Sequence, residues 1–247
     1  MVGNMLMRGM LIGLVAALVA FGFARVFGEP QVDRAIAFEE KMDAAKGEAP
    51  EPVLVSRGVQ SSVGLLTGII GYGVGIGGLF SLVFAYSYGR VGRLSPKTLA
   101  VLLAAAGFFA IIIVPELKYP ANPPSVGNPD TIGIRTELYF FMILLSIVAL
   151  VLAIKVGRRL AKHYGGWGAS IMAGILYIVI IGVVQSLLPS INEVPNDFPA
   201  VVLWQFRVAS LGIQLILWCV LGLAFGLLTE RSLKQNPKQS HSHSFNG

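Results

Sequence analysis

Ser61–Tyr86 reads SSVGLLTGIIGYGVGIGGLFSLVFAY, twenty-six positions without one Asp, Glu, Lys or Arg. Wound as an α-helix at about 1.5 Å per residue, it would reach roughly 39 Å, more than the ~30 Å hydrocarbon core of a bilayer. Five further apolar stretches flank it: Met5–Phe27, Thr98–Val114, Leu138–Ile154, Ala169–Leu188 and Val208–Leu228. Each approaches the length a membrane-crossing helix needs. With 55% hydrophobic residues, 13% charged residues and a mean hydropathy of +0.72, water-soluble classes are excluded. The expected fold is an all-α integral membrane protein with six transmembrane helices.

Charge supplies the orientation. Eleven of the nineteen Lys and Arg residues lie in short segments beside helix ends: Arg8; Arg90, Arg93 and Lys97; Lys155, Arg158, Arg159 and Lys162; Arg231, Lys234 and Lys238. Dense Lys/Arg in short loops marks the cytoplasmic face. Twelve of the thirteen carboxylates fall on the opposite face, and only Glu230 departs from that rule. Both termini are therefore expected in the cytoplasm. The net charge of +6 suits an anionic leaflet and is no sign of nucleic-acid binding. The first stretch reads as a retained helix, too long for an ordinary signal-peptide core. Cys219 is the one cysteine, so no intramolecular disulfide can form.

The chain divides into a membrane domain, residues 1–233, and a flexible polar tail, residues 234–247. An acidic outer segment, residues 28–60, separates the first two spans. Its first half should start a new helix at Asp33 and run to Ala45, with Pro30 ahead of the cap. Its second half, Gly47–Pro52, is a Pro-rich linker. A weak internal repeat is visible: Ala106-Gly107 and Ala173-Gly174 occupy comparable helices, and Arg57, Arg135 and Arg207 each precede an outer-to-inner helix.

Chemistry is sparse. Seven glycines fall between Gly64 and Gly78, and Gly68, Gly71, Gly73, Gly75, Gly77 and Gly78 carry two readings. Small-x-x-x-small spacing lets helix backbones touch in lipid. Alternatively, the helix breaks and its freed carbonyls line a path. Polar residues at mid-depth are neutral: Thr67, Tyr72, Ser81, Ser146, Tyr177, Gln185, Ser210, Gln214 and similar groups. No phosphate-binding loop, zinc-ligand spacing or nucleophile–base set occurs, so no enzyme and no permanently bound cofactor are expected. Glu29 and Asp33, and separately Glu39 and Asp43, are four apart and would share a helix face, a spacing able to gather a divalent cation. Glu116, Asn122, Asp130, Glu137, Glu193 and Asp197 add oxygens around the same rim. Arg135 and Arg207 are expected to pair with these carboxylates. His241 and His243 on the tail could touch a transition metal weakly.

Several long strings then carry a resemblance: Gly28-Glu29-Pro30 through Ala35-Ile36-Ala37-Phe38-Glu39, the glycine-laden span, Lys118-Tyr119-Pro120-Ala121-Asn122-Pro123-Pro124, and Leu203-Trp204-Gln205-Phe206-Arg207. Together they resemble the CbtA family, the proposed larger membrane component of a bacterial cobalt transporter, over nearly the whole chain. The resemblance implies uptake of Co²⁺ as transported substrate for cobalamin supply, in the bacterial inner (cytoplasmic) membrane. It implies a small single-span partner, CbtB, bearing histidines near its C-terminus, and it implies five spans against the six counted here. Homo-oligomerisation stays open. The alternatives are a non-transporting membrane scaffold and a channel for another divalent cation such as Ni²⁺.

Overall fold

The computed structural model describes residues 2–47 and 54–235. Five helical segments are long and apolar enough to cross a membrane: α1 Val2–Lys46, α2 Arg57–Ser87, α3 Pro96–Lys118, α4 Pro129–Leu187 and α5 Ala200–Lys234. No strand occurs among the described residues. Most of the expected Pro-rich linker and nearly all of the tail lie outside them.

The expectation of a new helix at Asp33 is corrected: α1 runs without interruption through Pro30 to Lys46. Proline has no N–H to donate, and its ring collides with the carbonyl four residues earlier. A π-helical turn over Ala24–Gly28 widens the helix just before Pro30 and absorbs that mismatch. The device recurs in α3, where a π-turn over Phe108–Ile113 precedes Pro115. Nearby, the Val114 carbonyl accepts a hydrogen bond from Gln185 Nε2 at 3.1 Å.

The difference between five helices and six apolar stretches lies in α4. A straight helix would hold Ser146 and Tyr177 about 46 Å apart, yet their hydroxyls hydrogen-bond at 2.7 Å. The segment doubles back at Gly165, whose φ of 69° and ψ of 168° belong to a region that glycine alone enters cheaply. The two arms, which hold the stretches Leu138–Ile154 and Ala169–Leu188, pack antiparallel. A Cβ on Gly157 would lie 2.9 Å from the Cβ of Ala173.

Packing sorts the helices into a bundle and a hairpin. In the bundle, Ala16, Ala17 and Ala20 of α1, Phe80 and Phe84 of α2, Leu99 and Ala104 of α3, and Leu217, Trp218 and Phe225 of α5 form one core. The hairpin has its own core of Met142, Ala149, Ala153, Tyr177 and Ile181, joined by Val114 and Tyr119 from the far end of α3. α4 therefore leans chiefly on that end of α3. The helix ends sort by charge: one end of the molecule, the acidic end, carries residues 29–46, 119–131 and 188–199. Arg8 and Thr229 hydrogen-bond across α1 and α5 at the opposite, basic end.

Candidate functional site

The acidic end is woven together by three arginines, each at or near the start of a helix entering from that end. Arg57 forms ion pairs with Glu29 and, at 2.9 Å, with Asp33. Arg135 lies 3.6 Å from Glu193 and donates to the Asn128 carbonyl at 3.2 Å. Gly127, at φ 123°, lies so close that a side chain there would meet the Arg135 guanidinium. Arg207 donates to Asn122 Oδ1 at 2.9 Å and to the Ala121 carbonyl at 3.2 Å. Arg135 thus pairs with a carboxylate as expected. Among the described residues Arg207 does not, because the loop facing it presents backbone and amide oxygens.

The extension of α1 past Pro30 docks onto these loops through Ala35, Val126 and Phe198, with the Phe38 and Phe198 rings edge to face at 5.0 Å. Tyr119 donates to the Pro189 carbonyl at 2.8 Å, and Lys118 donates to Ser190 at 3.0 Å. Glu193 accepts from the Asn128 amide at 2.7 Å and the Thr131 hydroxyl at 2.9 Å. Those two bonds, with the Arg135 charge behind them, hold the Glu193 carboxyl below its ordinary pKa.

Beside this weave lies a cavity of about 720 Å³, lined by α3, α4, α5 and the two Pro/Asn-rich loops. Glu116, Asn122, Arg135, Tyr139, Glu193, Arg207, Ser210 and Gln214 all contribute to its wall. Ser210 and Gln214 stand one turn apart on α5. The Tyr72 hydroxyl of α2 donates to Gln214 Oε1 at 3.1 Å, which ties the cavity wall to the glycine-rich helix.

The residues named from sequence separate by place. Glu29, Asp33, Glu39 and Asp43 all stand on the last part of α1, and none lines the cavity. Glu29 is buried against Arg57, whereas Asp33 and Glu39 are exposed. Of the six rim oxygens, Glu116, Asn122 and Glu193 enter the cavity wall, while Asp130, Glu137 and Asp197 are exposed and do not. Among the described residues no three His, Cys, Asp or Glu side chains converge as a metal group. His241 and His243 lie outside the described residues.

The glycine-rich stretch is continuous α-helix from Leu65 to Ser87, so the broken-helix reading has no break to rest on. Gly73 and Gly77 face Gly9 and Gly13 of α1 backbone to backbone, and Gly78 meets Met10. Gly68, Gly71 and Gly75 look onto open space, with nothing else among the described residues within 4 Å. Tyr139 escaped the sequence reading, although it lies one turn below Arg135 on α4.

A family model described as probable cobalt transporter subunit (CbtA) matches residues 2–230. The chain belongs to the CbtA family. No curated protein and no solved structure matches it. The matched region of this CbtA-family chain contains the whole cavity wall, all three arginine clasps and the α1–α2 contact. The family description names a component of a transporter, and five long apolar helices fit a multi-pass membrane protein.

Proposed function

We propose that this chain is the membrane subunit of a cobalt-uptake transporter in a bacterial inner membrane, supplying Co²⁺ for cobalamin synthesis. The observation that carries the reading is the family match over residues 2–230. In this reading the two arms of α4 each cross the bilayer, which makes six crossings with both termini in the cytoplasm. The acidic end then faces outward. Lys155, Arg158, Arg159 and Lys162, near the α4 turn, meet the anionic inner leaflet.

Glu29, Asp33, Glu39 and Asp43 act together as an electrostatic collector that raises the local concentration of Co²⁺. Arg57 already neutralises part of the first pair, which favours transient gathering over tight binding. The chain's described part offers no convergent His/Cys/Asp/Glu group. Nitrogen ligands for dehydrating the ion then come from a small, single-span, histidine-bearing partner. Cobalt accumulation in cells lacking their own cobalt uptake tests the reading. Accumulation is expected only when this chain and that partner are expressed together; no increase over empty cells removes the transport role.

A further inference from the structure

Four charged side chains line the cavity at the acidic end, and three of them are committed to other groups. Arg135 and Glu193 hold each other, and Arg207 is spent on Asn122 and Ala121. Glu116 is the fourth. Among the described residues it has neither an ion-pair nor a hydrogen-bond partner. It stands in the last turn of α3, where the helix dipole already disfavours an anion. Its backbone is held rigidly: Pro115 before it is fully buried, and the Val114 carbonyl is engaged by Gln185. An unpaired carboxylate held in such a place is relieved either by a proton or by a cation that comes to it.

Apart from the Arg135–Glu193 pair and Arg207, which is held by neutral oxygens, the wall that Glu116 shares is oxygen-rich and uncharged. Tyr139, Ser210 and Gln214 line the same wall, and the Tyr72 hydroxyl reaches Gln214 Oε1 at 3.1 Å. One carboxylate among neutral oxygens suits a hard divalent cation that keeps much of its water. Space agrees: at about 30 Å³ per water, a hexahydrated ion needs roughly 200 Å³, and the cavity holds about 720 Å³.

We propose that Glu116 is the carboxylate that captures a hydrated divalent cation inside this cavity, with Tyr139, Ser210 and Gln214 as its neutral oxygen neighbours. The inference rests on the transport reading for its biological meaning, but the binding site can be tested separately.

The experiment is equilibrium binding of Co²⁺ to the purified full chain in nanodiscs, comparing wild type, Glu116→Gln and Asp130→Asn. Saturable binding to wild type, a Kd at least tenfold weaker in Glu116→Gln and an unchanged Kd in Asp130→Asn are expected. In the unaltered chain, Co²⁺ should also protect Glu116 from carbodiimide labelling read by mass spectrometry, a measurement that does not depend on a variant folding. No saturable binding to wild type, a Glu116→Gln Kd within twofold of wild type, or labelling of Glu116 indifferent to Co²⁺ would each overturn the site. Parallel uptake assays separate the two claims. Glu116-dependent binding without cellular uptake sinks transport and leaves the site, whereas full uptake by Glu116→Gln sinks the site and leaves transport.

Discussion

Gly73→Ala and Gly75→Ala differ by two residues on one helix and should behave oppositely. A Cβ on Gly73 would sit 2.7 Å from the Gly13 carbonyl oxygen and 2.8 Å from the Ala17 Cβ. Relaxed carbon–oxygen and carbon–carbon contacts lie near 3.3 and 3.5–4.0 Å, so α1 and α2 must part by roughly 0.6–1 Å. A gap of that size forfeits about a quarter to a half of the dispersion energy along the contact. Overpacking of this kind costs about 1–3 kcal/mol, and a backbone partner that cannot rotate away puts Gly73 at the upper end. Both substitutions share the helix-propensity gain of about 1 kcal/mol for Ala over Gly. At Gly75, with nothing within 4 Å, that gain is the whole effect. The difference between the variants therefore isolates the overpacking cost, about 3 kcal/mol, with Gly73→Ala the less stable. Reversible unfolding of the chain in mixed micelles reads it directly. Stabilities agreeing to within about 0.5 kcal/mol would refute the backbone-contact account and reopen a path-lining role for this helix.

Two further outcomes follow from particular geometry. Gly165→Ala should cost about 1–3 kcal/mol, because φ 69° with ψ 168° is closed to a side chain. Gly166→Ala should be near neutral, and equal effects in thermal unfolding would contradict the fold-back at Gly165. For Glu193, the folded carboxyl has a pKa depressed below its ordinary 4.5. Its contribution is thus fully present above that value and is lost as pH falls through the lower folded one. Glu193→Gln should expose the loops around Asn128 and Glu193 to protease at neutral pH, with the difference from wild type shrinking in acid. A difference constant from about pH 7 down to about pH 3 would refute the assignment.

Bilayer-length apolar runs, the charge division between loops and the arginine near the start of each helix that begins at the acidic end were legible because each is a property of a short segment. Transfer from water to hydrocarbon adds up residue by residue, so a window of sequence contains the answer. Small-x-x-x-small spacing likewise showed that the glycine-rich helix can be gripped. It did not show that Gly73 and Gly77 are the glycines gripped while Gly71 and Gly75 stay open, since that depends on where α1 lies. Pro30 read as a boundary because proline breaks an ideal helix, and the π-turn that carries α1 past it has no sequence signature. The cavity was least legible of all. Tyr72, Glu116, Tyr139, Arg207 and Gln214 come from four helices and meet only after α4 folds back and α5 returns. Membrane residence is a sum over local composition, whereas a site is a coincidence of distant positions that packing alone brings about.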